Sequence, residues 1–238
     1  DVSVVIPIYN EEGILSASIA DLTEKLSTSK KLEHLTFEII LAENGSVDRT
    51  VEVARRLMLR HPELRMIHSD TPDYGKALKL GILSARGEYV ICDEIDLCDV
   101  DFYERAIYRL REEGYDLVVG SKTLERSFDK RPPFRRAATH VINGMLRVFV
   151  GFRGTDTHGL KAFRREALLP IINKCVVGKD MFASELVIRT EREDGLRNTE
   201  IPVEVIEKRA PSIRLTKRVP GVLKHIAKLT WEIRLHNR

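Results

Sequence analysis

The first half of the chain alternates short apolar runs with longer segments in which apolar residues recur every three or four positions. An uninterrupted apolar run predicts a buried strand, and the longer spacing predicts an amphipathic helix. The predicted strands are Val2–Ile8, Phe37–Leu41, Arg65–His68, Tyr89–Cys92 and Leu117–Val119. The predicted helices between them are Glu11–Leu26, a helix that Asp48 caps, Lys76–Ala85 and Phe102–Leu110.

Alternating strands and helices predict an α/β fold, with a mostly parallel central sheet flanked by helices on both faces. In such sheets ligands bind beyond the carboxyl ends of the strands. The loops that leave the predicted strands at this edge are polar, and they are Tyr9–Glu12, Glu43–Ser46, Asp70–Lys76 and Asp93–Asp99. We therefore expect the functional site where these four loops meet.

The pattern changes after Gly120. The segment Ser121–Arg136 is charged and carries Pro132-Pro133, which predicts a loop. The elements expected beyond it are a helix Arg135–Val150, an extended segment Leu160–Arg164, a helix Met181–Glu191, a strand Ile201–Ile206, a basic loop Arg209–Val219 and a helix Gly221–Leu235. We interpret residues 1–215 as one catalytic domain and residues 216–238 as a basic amphipathic C-terminal helix.

The composition is that of an ordinary globular protein, with 238 residues of which 43% are hydrophobic and 32% charged. Runs of about 18 uninterrupted apolar residues are absent, so we expect no segment to span a bilayer by itself. Nothing resembles a signal peptide. Cys92, Cys98 and Cys175 lack CxxC spacing, and so odd and sparse a count of cysteines fits a reducing compartment. The expected location is the cytoplasm.

The net charge of +3 conceals a basic C-terminus, because residues 207–238 hold nine Lys or Arg and only two Glu. Such a tail predicts an anionic partner, which can be a phosphate, a membrane surface or a nucleic acid. Nucleic acid is disfavoured because Trp231 is the only aromatic residue among these charges. The terminal helix has an apolar stripe with basic flanks. This pattern suits a helix at a membrane interface and equally a helix packed on the core.

Three carboxylates, Asp93, Glu94 and Asp96, crowd the end of the predicted strand Tyr89–Cys92. Clustered carboxylates at a strand end suit a hard cation such as Mg²⁺ or Mn²⁺, which is usually completed by substrate phosphates. The same residues also suit an acidic turn that caps the helix starting near Asp101. The residues of this cluster leave both interpretations open.

Short motifs at the strand ends carry a resemblance to a known family. They are Pro7-Ile8-Tyr9-Asn10-Glu11-Glu12, Glu43-Asn44-Gly45-Ser46-Val47-Asp48-Arg49-Thr50, Gly75-Lys76-Ala77, Glu94-Ile95-Asp96-Leu97, Gly120-Ser121-Lys122, Arg135-Arg136-Ala137-Ala138-Thr139, Gly159-Leu160-Lys161-Ala162-Phe163, Glu200-Ile201-Pro202-Val203 and Ser212-Ile213-Arg214. In this order they resemble the family-2 inverting glycosyltransferases of the GT-A (nucleotide-diphospho-sugar transferase) fold. The most similar branch is dolichyl-phosphate mannose synthase-like and loads a sugar onto polyprenyl or dolichyl phosphate.

The resemblance implies a metal-dependent hexosyltransferase whose donor is a UDP- or GDP-hexose. It places a donor-binding set at Pro7, Tyr9, Glu11, Glu43, Asn44, Lys76, Glu94 and Asp96. Of these, Asp96 and Glu94 would hold Mg²⁺ or Mn²⁺, with Asp93 able to share the role. Glu94 stands where the family has Asp, and Cys98 where many relatives have Gln. A thiol does not suit a hard cation.

The resemblance also implies an acceptor-phosphate set of Lys122, Arg135, Thr139, Ser212 and Arg214. It assigns catalysis to Asp96, Arg135 and Arg214. A phosphate monoester is already anionic near neutral pH, so it needs no strong general base to attack C1 of the sugar. Asp156 and Glu185 fall at further acidic positions of the family, and Glu185 is expected either to contact the sugar or to lie on a helix surface.

Two other functions remain open at this point. One is transfer to a saccharide or protein hydroxyl, which the basic residues of the acceptor set argue against. The other is a non-catalytic sugar-nucleotide-binding protein whose acidic motif has drifted, as Asn44, Glu94 and Cys98 allow. We expect peripheral association with the cytoplasmic face of a membrane, where a lipid acceptor would be met. The sugar, the base and the length of the lipid are not specified by these residues.

Overall fold

The computed structural model describes residues 1–125, 133–178, 181–204 and 215–236. Its strands form one seven-stranded sheet in the order β3-β2-β1-β4-β6-β5-β7. Their bounds are β1 Val2–Ile8, β2 Phe37–Glu43, β3 Leu64–His68, β4 Tyr89–Cys92, β5 Leu117–Ser121, β6 Lys161–Arg164 and β7 Asn198–Pro202. Within this sheet only β6 runs antiparallel to its neighbours, β4 and β5. The predicted mostly parallel sheet is confirmed.

Eight α-helices accompany the sheet in the described part of the chain. They are α1 Leu15–Thr28, α2 Thr50–Met58, α3 Tyr74–Ser84, α4 Val100–Arg111, α5 Pro133–Val150, α6 Arg165–Lys174, α7 Phe182–Arg192 and α8 Leu215–Trp231. A π-helical turn at Glu232–His236 continues α8. Helices lie on both faces of the sheet, as the alternating pattern predicted.

Two buried clusters sandwich the sheet, because side chains of successive strand residues point to opposite faces. In β1, Val4 and Ile6 pack in the cluster that contains the buried residues of α1, α2 and α4. Val5 between them packs in the cluster formed with α3, α6, α7 and α8. Each face therefore has its own core, and β1 has all its residues buried.

The C-terminal helix contributes to the second core. Ile226, Leu229 and Ile233 are buried there. This confirms the packing interpretation of the apolar stripe, while Leu223 and Trp231 of the same helix remain exposed. None of the described helices is long and apolar enough to cross a bilayer.

Several predicted boundaries were wrong. The first helix starts at Leu15 rather than Glu11, because Glu11 is tied to the next motif loop by a hydrogen bond from its N–H to Thr50 Oγ1 (2.7 Å). The N-cap of α2 is Arg49, although the Asp48 carboxylate still accepts from the Thr50 N–H (2.9 Å).

Larger differences lie in the second half of the chain. Helix α6 was not predicted, and it forms although it contains Pro170. The last strand covers Asn198–Pro202, where 201–206 was predicted, because pairing with β5 recruits polar residues at the sheet edge. Helix α8 starts at Leu215, inside the predicted basic loop. Residues 205–214 lie outside the described part of the chain.

Candidate active site

The predicted motif loops meet at one edge of the sheet. The strands β1, β2, β3, β4, β5 and β7 run in the same direction, so their carboxyl ends share this edge. Since β6 is antiparallel, its first residue, Lys161, lies at the same edge, where it pairs with Cys92 and Val119. The sheet therefore brings residues from the two halves of the chain together.

The first two motif loops are joined by hydrogen bonds around Asn10. Its backbone N–H donates to Ser46 Oγ (3.0 Å) and its side-chain Oδ1 accepts from the Val47 N–H (2.9 Å). Asn10 adopts a positive φ of 55°, a conformation that Asn tolerates better than most residues. Beside it, Pro7 is buried and Tyr9 is 42% exposed. These loops form the surface on which the resemblance places the donor base.

Glu43, at the end of β2, is buried and already bound by its own chain. Its carboxylate accepts from the Ser46 N–H (2.5 Å) and contacts His68 Nδ1. The other ring nitrogen of His68 lies 3.0 Å from Asp70 Oδ1. Burial raises the pKa of Glu43, but the hydrogen bonds from Ser46 and His68 outweigh it and hold this pKa below its ordinary value. The hydrogen bond to Glu43 raises the pKa of His68.

Asn44 is buried and ties β2 to the start of α3. Its Oδ1 accepts from the Asp73 N–H (2.6 Å). Asp73 is the N-cap of α3, and its carboxylate accepts from the Lys76 N–H (2.9 Å). Lys76 is exposed in the first turn of this helix. A helix N-terminus with a lysine is a suitable contact for a diphosphate.

The acidic motif divides into one fully buried carboxylate and two that are half-buried. Asp93 is buried and accepts from the Tyr103 hydroxyl (2.5 Å) and from the N–H groups of Glu94 (2.6 Å) and Asp99 (3.1 Å). Burial raises its pKa to about 7. With these bonds Asp93 shapes the turn, which disfavours the idea that it shares the role of Glu94. Asp99, not Asp93, is the N-cap of α4.

Glu94 and Asp96 are half-buried. Burial raises the pKa of Glu94, the Asp96 charge raises it further, and the Lys122 and Lys161 charges oppose this. The described residues contain no cluster of three or more potential ligands. Two neighbouring carboxylates nevertheless fit Mg²⁺ or Mn²⁺, which use one or two carboxylates and complete their shell with phosphate oxygens and water.

Cys98 closes the acidic turn from inside the core. Its thiol is buried, and its sulfur lies 3.6 Å from the Ile95 carbonyl oxygen. Burial raises the pKa of this thiol. The residue has a positive φ of 46°. Cys98 therefore packs as a small apolar residue and offers no contact to a hard cation.

Asp156 lies beside Lys122, which the resemblance assigns to the acceptor phosphate. The buried Asp156 carboxylate accepts from the N–H groups of Lys122 (3.2 Å) and His158 (2.8 Å). Burial raises the pKa of Asp156, but the Lys122 charge and these hydrogen bonds outweigh it, and the pKa is lowered. Asp156 is thus an ionised residue that holds the start of the loop after β5.

The predicted acceptor set also includes Thr139, Arg135, Ser212 and Arg214. Thr139 is half-buried on α5. Arg135 belongs to the first turn of α5, but its side chain is not among the described groups. Ser212 and Arg214 lie outside the described residues.

The segment 153–158 is hydrogen-bonded to β7 through Glu200. Both oxygens of Glu200 are used, one accepting from the Thr155 N–H (2.7 Å) and the other from Thr155 Oγ1 (2.6 Å). At Gly159 the chain passes so close to β5 that an added Cβ would lie 1.7 Å from the Gly120 carbonyl oxygen. Only glycine fits there, which explains the glycine in this motif.

Glu185 lies neither on a helix surface nor free to bind a sugar. It is buried in the first turn of α7. Its carboxylate accepts from the N–H groups of Val176 (3.0 Å) and Val177 (2.7 Å) and from Arg189 Nε (2.8 Å). The helix-surface alternative was wrong, because the backbone of Val176 and Val177 covers the Glu185 carboxylate.

Lys161 was overlooked by the sequence reasoning. It is 2% exposed, and burial lowers its pKa to about 8. Its Nζ donates to the Gly159 carbonyl oxygen (2.7 Å). The available signal was a charge between Leu160 and Ala162, at the first residue of a strand whose next two residues are apolar. Its charge acts on Glu94 of the acidic motif and on Asp156 beside Lys122, so Lys161 influences both groups of residues.

Comparison with known proteins agrees with this architecture. Residues 3–169 match the family model described as glycosyl transferase family 2, and the chain belongs to this family. Its fold resembles glucosyl-3-phosphoglycerate synthase from Mycobacterium tuberculosis, solved with Mn²⁺, UDP and phosphoglyceric acid. The TM-score is 0.65 at 20% identity, over 97% of this chain and 77% of that one. The predicted GT-A fold is confirmed.

Among curated relatives, glycosyltransferase AglD of Haloferax volcanii is 30% identical over 241 residues, which is 100% of this chain but 38% of that protein. Dolichyl-phosphate beta-glucosyltransferase ALG5D of Trichomonas vaginalis is 30% identical, over 85% of this chain and 65% of its own length. A dolichyl-phosphate hexose transferase of H. volcanii is 28% identical over 99% and 96%. The chain thus spans less than two thirds of the first two.

Proposed function

We propose that this chain is the catalytic part of an inverting glycosyltransferase that moves a hexose from a UDP- or GDP-hexose to a polyprenyl (dolichyl-type) phosphate. The observation that carries the proposal is the meeting, at one sheet edge, of two half-buried carboxylates, Glu94 and Asp96, with Lys122 and the buried Asp156. The names of two relatives, dolichyl-phosphate beta-glucosyltransferase and dolichyl-phosphate hexose transferase, support the acceptor class.

On the donor side, Glu43 and the loop around Asn10 would receive the base, with Tyr9 and Glu11 beside them. Lys76 and the N-terminus of α3 would contact the diphosphate. Asp96 and Glu94 would hold Mg²⁺ or Mn²⁺, which supplies positive charge to the departing diphosphate. The structural neighbour was crystallised with Mn²⁺ and UDP, which supports this choice of cation and leaving group.

On the acceptor side, Lys122, Arg135, Thr139, Ser212 and Arg214 would bind the lipid phosphate. One phosphate oxygen attacks C1 of the hexose while the bond from C1 to the diphosphate oxygen breaks, and the nucleoside diphosphate leaves with that electron pair. Attack from the opposite face inverts the anomeric centre. The phosphate carries no proton that must be removed, so the protein's task is to align and neutralise the two phosphate groups.

Peripheral membrane association is the second half of this proposal. The exposed apolar residues Val141 and Val148 of α5 and Leu223 and Trp231 of α8 lie on two helices that pack together. A hydrogen bond from Arg234 to the Val148 carbonyl oxygen (3.0 Å) joins these helices. We call these four residues the α5–α8 face. With the basic residues of α8 beside it, this face suits the anionic cytoplasmic surface of a membrane.

The test is a panel of UDP- and GDP-sugars with Mg²⁺ or Mn²⁺ and a short polyprenyl phosphate. We expect one donor to give a sugar-phosphate-lipid product whose anomeric configuration, read by NMR, is opposite to that of the donor. Metal-dependent donor binding without any product would favour a non-catalytic binding protein. Product formed only with a saccharide or peptide hydroxyl would favour the other acceptor class.

A variant of Arg214 tests whether this residue binds the acceptor phosphate or the donor. Arg214→Ala is expected to lower turnover more than donor affinity, because an arginine binds a phosphate through a planar fork that alanine lacks. A collapse of donor affinity with little change in turnover at saturation would place Arg214 on the donor.

A further inference from the structure

Within the described residues, Lys161 is a buried cation without an ionic partner. It is 2% exposed, and its Nζ donates a single hydrogen bond there, to the neutral carbonyl oxygen of Gly159. In the same part of the chain, no carboxylate lies within 4.0 Å of this ammonium group. The buried Arg189 provides the contrast, because its Nε lies 2.8 Å from the carboxylate of Glu185.

Such a lysine is costly for the fold. A buried ammonium group that loses its water without a carboxylate in direct contact destabilises the native state. An apolar residue of similar length would satisfy the packing at this position, since the cross-strand neighbours Cys92 and Val119 belong to an apolar core. Packing therefore does not explain why a lysine occupies it.

The surroundings of Lys161 indicate what its charge can do. Its pairing partner Cys92 stands two residues before Glu94, so Lys161 lies beneath the acidic motif. The Lys161 charge acts on Glu94 and on Asp156, and Lys122 adds a second positive charge to the same group. A fixed cation at this position reduces the negative potential of Glu94 and Asp96 before any ligand arrives.

We propose that Lys161 is a positioning residue that makes the carboxylate pair bind its divalent cation weakly by itself and well only together with a nucleoside diphosphate. This inference rests on the proposed metal site. The Lys161 charge repels a bare divalent cation, whereas it attracts the metal–diphosphate complex, which is anionic overall. The cation would therefore bind together with the donor and dissociate together with the nucleoside diphosphate after each transfer.

The proposal predicts opposite effects of the Lys161 charge on the bare cation and on the metal–diphosphate complex. Lys161→Met tests both, because it keeps the length of the side chain and removes the charge. Mn²⁺ binding is measured by electron paramagnetic resonance near pH 7, first without nucleotide and then with UDP as probe. We expect Mn²⁺ alone to bind about tenfold more tightly, and UDP at saturating Mn²⁺ to bind about threefold more weakly, as expected for one charge at partly screened range. The melting temperature should rise.

Lys79→Met is the matched control. The Lys79 Nζ also donates to a backbone carbonyl oxygen, that of Cys175 (2.7 Å), but its charge is not among those that act on Glu94. We expect this variant to change neither Mn²⁺ nor UDP affinity. A rise in melting temperature together with the opposite shifts of the two affinities in Lys161→Met alone would support the proposal.

Two results would overturn it. If Lys161→Met lowers the melting temperature and leaves both affinities unchanged, Lys161 is a structural residue only, and the proposed function stands. If the unmodified chain binds no Mn²⁺ even with UDP, the metal site itself is wrong, and the proposed function must be revised together with this inference.

Discussion

The carboxylate of Asp93 accepts a hydrogen bond of 2.5 Å from the Tyr103 hydroxyl in the interior of the protein, where both residues are buried. Asp93 directly follows β4 and is the first carboxylate of the acidic motif, and Tyr103 belongs to α4, the next helix along the chain. The pair fixes the turn that presents Glu94 and Asp96 at the sheet edge. It also makes the stability of the fold depend on pH.

Asp93→Asn tests this dependence. The pKa of Asp93 is about 7 in the folded protein, against about 3.9 in an unfolded chain. The folded state thus binds the proton on Asp93 more tightly than the unfolded state does. The stability that this proton contributes is fully present below about pH 3.9, the unfolded pKa. It is lost as the pH rises through about 7, the folded pKa. The loss is on the order of 4 kcal/mol, since the two pKa values differ by about three units and each unit is worth about 1.4 kcal/mol.

The measurement is the free energy of unfolding by urea at several pH values between 4 and 8. The free energy of unfolding of Asp93→Asn should decline less with rising pH than that of the unmodified chain, whatever the difference between their absolute stabilities. The exposed Asp194 provides the control, since Asp194→Asn should leave the decline unchanged. An identical pH profile for Asp93→Asn and the unmodified chain would contradict the assignment.

Gly159→Ala should be severely destabilising. The added Cβ would lie 1.7 Å from the Gly120 carbonyl oxygen, so β5 and the loop before β6 must move apart. We expect a loss of at least about 3 kcal/mol or failure to fold. In Gly144→Ala the new methyl group meets nothing within 4 Å and lies inside α5. That variant should gain about 0.5–1 kcal/mol through helix propensity. Equal effects of the two substitutions would refute the close approach.

Asp96→Asn should abolish metal-dependent donor binding. The substitution removes one of the two half-buried carboxylates of the acidic motif, and an amide is a poor ligand for Mg²⁺ or Mn²⁺. Calorimetric titration of UDP with and without Mn²⁺ should show the metal-dependent gain lost in this variant. Asp101→Asn, an exposed change on α4, should retain the gain. Unchanged UDP affinity in the presence of Mn²⁺ would remove Asp96 from the metal site.

The α5–α8 face should carry the affinity for membranes. Truncating the chain after Pro220 is a poor test, because it would also remove the buried Ile226, Leu229 and Ile233. The double variant Leu223→Gln, Trp231→Gln removes two exposed apolar side chains, each worth about 1.5–3 kcal/mol when fully buried. We expect its partitioning onto phosphatidylserine vesicles to fall at least about tenfold.

Leu59→Gln is the matched control for that experiment, because Leu59 is 88% exposed at the end of α2, a helix that packs on the other face of the sheet. It should partition like the unmodified chain. Equal partitioning of all three proteins would assign the exposed apolar residues of α5 and α8 to another role.

The alternation of apolar runs and helical spacing specified the α/β class and the loops of the site, because both periodicities are local properties of the backbone. It was enough to place Glu43, Asn44, Lys76, Glu94 and Lys122 at strand ends or at a helix start. The motif order then indicated the family. Helix α6 and the bounds of β7 were not predicted, because they depend on pairing and packing between distant segments.

The tertiary structure alone decided which charges are buried and which face the site. Asp93 and Asp96 are three residues apart in one acidic run, yet Asp93 is buried against Tyr103 and Asp96 is only half-buried. Lys161 became a candidate only once the antiparallel β6 placed it against Cys92. The cost of burying a charge depends on what surrounds it, and those surroundings come from residues far away in the chain.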